Sequence, residues 1–156
     1  FSANLGGLSG ADAICQTTAE SGAAPAGIYK AWLSDDKGSP SSRFTQSAAP
    51  YRLVNGTVVA NDWADLTSGG LRNAIDADEV GVPLSDHRLV WSNTLPNGEP
   101  IDFNGDCADW AAEFAELNGN SGAYDAIDRG WTDFSRSVAC DEGPHHLYCF
   151  QQGAAG

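Results

Sequence analysis

Basic side chains are scarce: Lys and Arg total 8 against 21 Asp and Glu, a formal net charge of -13. The eight (Lys30, Lys37, Arg43, Arg52, Arg72, Arg88, Arg129, Arg136) never cluster. Such a field repels phosphate backbones and anionic surfaces, so nucleic acid, heparin-like polymers and acidic membranes are poor partners. Methionine is absent. No run approaches the ~18 apolar residues of a membrane-crossing helix, so no transmembrane segment is expected. Also missing are Gly-x-Ser-x-Gly, His-Glu-x-x-His and a phosphate-binding loop. Acid–base chemistry could draw only on carboxylate pairs such as Asp76/Asp78 or Asp102/Asp106, and with 21 acids such pairs arise by chance. The expectation is a protein that is not an enzyme.

The four cysteines (Cys15, Cys107, Cys140, Cys149) contain no Cys-x-x-Cys pair and no zinc-like spacing with histidine. An even count of this kind reads as two disulfides in an oxidising, extracellular or cell-surface setting, with three connectivities open. At 156 residues and 42% hydrophobic content, the chain is long enough for one domain with a real core. Residues 1–152 read as that domain and residues 153–156 as a tail or linker. Phe1 is not an initiator, so a processed secreted chain or a domain cut from a longer one is expected.

The periodicity predicts two helices packed on several short, largely antiparallel strands, an α+β class. Ser9 and Asp12 form a capping box before Ala11, Ile14, Cys15, Thr18 and Ala19, an amphipathic helix stopped by Gly22 and Pro25. Strands are expected over Gly27–Leu33, around Ala74–Ile75, over Arg88–Trp91, at Ser137–Cys140 and over His146–Phe150. Tyr51–Val59 is a hairpin on a type I′ turn at Asn55-Gly56. Asn55-Gly-Thr57 is formally a glycosylation sequon, but the turn explains those residues. Asp62–Leu66 reads as one capped helical turn. Asp106 is the natural cap of a second helix carrying Cys107, Trp110, Ala111, Phe114 and Leu117 on one face and ending at Asn118-Gly119. Asn118–Gly130 reads as loop. His145 and His146 would lie on opposite faces of a strand rather than pair on a metal.

Leu89–Trp110 is the organising stretch. Between a strand and a helix start it places Asn97, Glu99, Asp102, Asn104 and Asp106, five oxygen-bearing side chains around two Asn-Gly turns. Hard oxygen donors at alternating positions are what Ca²⁺ takes, and Ca²⁺ is the one cofactor this composition suggests. The glycine stands at the wrong place for an EF-hand, and the alternative is turns plus a helix cap. Phe103, Tyr124, Trp131 and Phe134 lie in predicted loops, where they stack on a ligand or tuck under the loops.

Several stretches resemble a known family. Gly10–Cys15, Ala26–Ser34, Val90-Trp91, Pro96–Gly98, Cys107 with Trp110, Ser137–Cys140 and His145–Cys149 recur in the order found in endostatin, a basement-membrane collagen domain. Thr57–Leu66 is similar to a bacterial family of endostatin-like domains found in surface lipoproteins and secreted multidomain proteins. The resemblance implies a C-type lectin-like fold: two helices, a small mixed, mostly antiparallel sheet and long loops. It also implies nested bridges, Cys15–Cys149 and Cys107–Cys140. Endostatin's zinc does not carry over, because Phe1–Gly7 has no histidine, and neither do its heparin-binding arginine patches. Of the sugar-site motifs of true C-type lectins, Leu95-Pro96-Asn97 and Trp131-Thr132-Asp133 stand here, keeping Asn97, Glu99 and Asp133 as ligands but losing others at Leu95 and Thr132. The resemblance and the loop composition together predict an extracellular adhesion or recognition module for a glycan or protein. It would bind through Asn97, Glu99, Phe103, Tyr124, Trp131 and Asp133. The alternatives are a structural spacer or a carboxylate-dependent hydrolase.

Overall fold

The computed structural model describes residues 1–153; the rest of the proposed tail, residues 154–156, lies outside it. The chain is mixed α+β, with α1 at Gly7–Ser21, α2 at Pro40–Arg43, α3 at Trp63–Leu66 and α4 at Cys107–Trp110. The strands are β1 (Ile28–Ala31), β2 (Tyr51–Arg52), β3 (Val58–Ala60), β4 (Leu89–Trp91), β5 (Asn118–Ala123), β6 (Ser135–Ala139) and β7 (Cys149–Gln152). All their pairings are antiparallel: β1 with β7, β2 with β3, and β5 between β4 and β6. The segment before β7 joins the larger groups, Trp32 N–H donating to Tyr148 O at 2.9 Å and Trp91 N–H to His146 O at 3.0 Å.

Strand alternation explains why both faces of this assembly are buried. Ala31, Leu33 and Trp91 pack with Ala11, Cys15 and Ala19 of α1, alongside Trp110 and Val138. Trp32 and Val90, one residue out of step, face a second core with Phe44, Leu66, Tyr124, Trp131, Tyr148 and Phe150. Trp32 and Trp131 have ring centroids 4.8 Å apart. The structure joins Cys15 to Cys149 and Cys107 to Cys140, the nested pairing. The first closes 134 residues and contributes about 5 kcal/mol on a chain-entropy argument.

Local readings fail where distant contacts outvote them. α1 starts at Gly7, so Ser9 and Asp12 form no capping box; Asp12 instead accepts from Ala31 N–H at 2.9 Å and pairs with Arg43. The hairpin exists, but its turn runs from Leu53 to Gly56 with a bulge, and Gly56 alone takes positive φ. Asn55 accepts from Thr57 N–H, which holds it out of the type I′ geometry. Around Ala74–Ile75 there is no strand; a single bridge joins Ala77 to Pro83 across a turn held by Asp78. The last strand is shifted to Cys149–Gln152, because His146 is already used against β4.

The largest correction concerns 106–123. The predicted second helix is a single turn, and Asn118–Ala123 is the central strand β5 rather than a loop. Cys107, Ala108, Asp109 and Trp110 all have positive φ (49, 55, 59 and 58°), so α4 is a left-handed turn. Phe114 is exposed instead of lining a helical face. Two pairings stop the helix: Asn120 N–H donates to Gly105 O at 2.8 Å and Cys140 N–H to Leu117 O at 2.9 Å. β5 reads Asn-Gly-Asn-Ser-Gly-Ala, with poor strand propensity, because the core leaves no room for more. A Cβ at Gly119 would meet the Trp91 ring at 2.7 Å, and one at Gly122 would meet Trp131 O at 2.1 Å.

A Gly122→Ala change is therefore expected to lower stability by about 2–3 kcal/mol through overpacking against a backbone carbonyl. An unchanged urea midpoint would contradict this packing of β5.

Candidate functional site

The organising stretch leaves β4 through Ser92, Asn93 and Thr94, all fully buried. Two turns follow. In the first, Gly98 N–H bonds Leu95 O at 2.9 Å, Asn97 Oδ1 accepts from Glu99 N–H at 3.0 Å, and Glu99 accepts from Ser41 Oγ at 2.7 Å. In the second, Asp102 Oδ1 accepts from Asn104 N–H at 2.9 Å and Gly105 N–H at 2.6 Å. Asn93 Nδ2 donates to Asp102 O at 2.9 Å, and Asn120 Nδ2 donates to Asn93 Oδ1 at 2.8 Å. A flexible-looking sequence is thus pinned from beneath by two buried amides. Asp106 does cap α4, accepting from Asp109 N–H at 3.2 Å.

These bonds give the loop's oxygens partners within the chain itself. Asn97 and Asp102 spend oxygens on their own turns and Glu99 reaches Ser41. Asn104 enters through its backbone N–H. Among the described residues, Glu99, Asp102 and Asp133 do not belong to a convergent group of three acidic ligand atoms. Asp133 is buried and paired with both Arg129 and Arg136. Burial pushes its carboxyl up, but the bonds from the two arginines hold it below the usual range.

Two of the proposed ligand-stacking aromatics are also misplaced. Trp131 is completely buried and Tyr124 nearly so, with Tyr124 Oη accepting from His87 N–H at 3.2 Å. Thr132 is buried as well, its hydroxyl bonded to Trp32 Nε1 at 2.7 Å. Trp131 and Thr132 are built into the core, and Asp133 is tied to its two arginines. Phe103, 73% exposed at the tip of the second turn, and Phe134, 62% exposed, are the exceptions. His145 and His146 meet different partners, Trp91 and Asp86 respectively.

A convergence the sequence does not announce lies at the loop's far end. Carboxylate oxygens of Asp35, Asp36 and Asp109 come within 4.8 Å of one another. Asp35 Oδ1 accepts from Lys37 and Gly38 N–H groups, folding Ser34–Gly38 into a tight turn. Asp106 lies at its inner edge, 2% exposed, with Oδ2 buried and without a hydrogen-bond donor. Burial pushes the Asp106 carboxyl up to about 6, and the Asp109 and Asp35 charges push the same way. The Asp36 carboxyl is raised by a hydrogen bond shared with Asp109. Sequence reading reached Asp106 and Asp109 only as helix-cap residues. The Asp35-Asp36 pair beside Gly38 was the available signal, but nothing local places it next to residues 106–109.

Elsewhere a cleft of about 860 Å³ lies between the end of α1, the β2–β3 hairpin and β7, with Tyr29, Tyr51, Ile75, Leu84 and Phe150 in its walls. Tyr29 Oη donates to Pro25 O and Tyr51 Oη accepts from Ser47 N–H, so the cleft offers ring faces more than free phenols. No protein-family model matches the chain, and no curated protein matches it either.

The acidic cluster has a pH signature. The Asp106 carboxyl titrates near 3.8 when unfolded and at about 6 when folded, so its contribution is present below about pH 4 and lost as pH rises through 6. With EDTA present, Asp106→Asn keeps the cap acceptor and removes the charge. It should match wild type at pH 4 and be more stable at pH 7, read as the difference between their urea midpoints. A variant that is less stable at pH 7 would contradict the burial argument.

Proposed function

We propose that the chain is an extracellular, non-catalytic binding module of endostatin-like, C-type lectin-like fold, recognising a glycan or a protein through the long-loop region. The arrangement of two disulfides, α1 against small antiparallel sheets and a long loop between β4 and β5 supports the fold. Two disulfides are compatible with an oxidising compartment, and no helix among the described residues is long and apolar enough to cross a membrane. Display on a bacterial surface lipoprotein, in an adhesive role, is the setting that the sequence resemblance suggests.

One observation carries the recognition reading: Phe103 is held out in water on a turn that is tied down by hydrogen bonds to Asp102 O and Asp102 Oδ1. Hiding that ring would favour folding, whereas a rigid scaffold presenting an aromatic favours a partner, since little ordering cost remains on binding. Phe114 and Phe134, 64% and 62% exposed, lie in the same half of the chain. The hydrolase reading is weaker. Asp106 is closed to solvent, and Asp102 is engaged by Asn104, Gly105 and Asn120. A second binding reading rests on the aromatic cleft, whose volume suits a small apolar or ring-bearing ligand.

Glycan arrays and surface pull-downs with the full chain separate these readings. A loop ligand should lose affinity by about tenfold or more in Phe103→Ala, the scale of an aromatic anchor, with stability unchanged. A cleft ligand should ignore Phe103→Ala and be blocked by Ala49→Trp at the cleft wall. Absence of any ligand in both assays would favour a spacer and sink the recognition proposal.

A further inference from the structure

We propose that Asp35, Asp36, Asp106 and Asp109 form a calcium site, walled by the Ser34–Gly38 turn on one side and α4 on the other. Three of the four bring carboxylate oxygens within 4.8 Å of each other. The fourth, Asp106, is only 2% exposed and faces Asp109, with which its carboxyl shares a hydrogen bond, and its Oδ2 has no donor of its own. A buried carboxylate oxygen without a donor is costly, and native structures fill such positions with a proton, water or ion. The charges that act on Asp106 are those of Asp109 and Asp35, both acidic. Lys37 acts on Asp36, but it is an exposed side chain at the rim. A shared proton relieves one pair at a time, Asp36 with Asp109 or Asp106 with Asp109, and the charge left on the other carboxylates of the four calls for a divalent cation.

The donor set chooses the ion. Four carboxylates with no imidazole or thiolate select a hard cation over zinc or copper. The ligands come from two separated turns, with Asp36 exposed and Asp109 half-buried, so waters can complete an irregular shell. That suits the six to eight ligands of Ca²⁺ better than the strict octahedron of Mg²⁺. A bound ion would clamp the Ser34–Gly38 turn to the left-handed turn at the base of the long loop. Trp110 already makes that connection, its Nε1 donating to Ser34 O at 2.8 Å. The site stands on its own geometry, whether or not the loop proves to be the recognition surface.

That indole also provides the readout, since an excited tryptophan beside the site can sensitise Tb³⁺ luminescence. The full chain, stripped with EDTA, should give saturable Tb³⁺ emission that Ca²⁺ displaces at about 10⁻⁴–10⁻³ M, the range of extracellular calcium modules. Ca²⁺ should also raise the melting temperature, as any ligand specific to the native state does. Asp36→Asn, at an exposed position, should weaken Ca²⁺ displacement by about tenfold or more with the far-UV spectrum unchanged, because affinity follows ligand charge. Asp109→Asn should do the same, and Asp76→Asn, outside the cluster, should change nothing. The proposal is overturned by absent or non-saturable emission, by emission indifferent to Ca²⁺, by unaltered affinity in Asp36→Asn, or by a melting shift that NaCl of equal ionic strength reproduces.

Discussion

A buried amide pair holds this molecule's second half together. Asn120 Nδ2 donates to Asn93 Oδ1 at 2.8 Å, and Asn120 Oδ1 accepts from Ser137 N–H at 3.2 Å. Through these two side chains β4, β5 and β6 meet the Asp102 turn, whose carbonyl takes the Asn93 amide. Next to them Ser92, Thr94 and Thr132 share hydroxyl bonds of 2.7–2.8 Å, and Thr132 also receives the Trp32 indole. In so dry a place a half-satisfied network would be worse than an apolar one, and the near-complete pairing therefore specifies one arrangement. Loop and core are consequently a single object: the turn that presents Phe103 is built on the network that orients Trp32.

Charge is rationed in the same way. With few cations available, most are committed to particular carboxylates: Arg43 to Asp12, Arg72 to Asp65, and Arg129 and Arg136 to Asp133. Asp86 is held by His146, which together with Arg88 keeps its carboxyl below the usual range. The cluster at Asp35, Asp36, Asp106 and Asp109 is an acidic concentration without such an ion pair among the described residues, and it sits where the chain adopts its least ordinary backbone. Four consecutive non-glycine residues in the left-handed region cost roughly 1–2 kcal/mol each. That turn persists because Cys107 is bridged to Cys140 and Trp110 is sealed in the core, with its carbonyl accepting from Leu5 N–H at 2.8 Å.

Much of the fold was legible because its signals were local or redundant. The apolar face of α1, the β4 strand, the α3 cap at Asp62 and the cap role of Asp106 all follow from side chains within a few residues of each other. The disulfides themselves were legible from an even cysteine count, though their pairing came from resemblance. The site was less legible. Asn97, Asp102 and Asp106 were visible as oxygen donors, but composition cannot say whether an oxygen faces an ion or its own backbone. Here the first two accept N–H groups of their own turns. Tyr124 and Trp131 looked like loop aromatics only because β5, made of Gly, Asn, Ser and Ala, carries no propensity that marks it as a central strand.

By itself, then, the sequence determined the class, the oxidised cysteines, the acidic surface and the first helix, all of which depend on composition or on a period repeated along a few turns. Tertiary structure decided the left-handed turn, the glycine-lined strand β5, the burial of Trp131 and the meeting of Asp35 with Asp106. Each of these depends on groups far apart in the chain. Their energies come from packing against a carbonyl, an indole or a bridged sulfur that no short window contains.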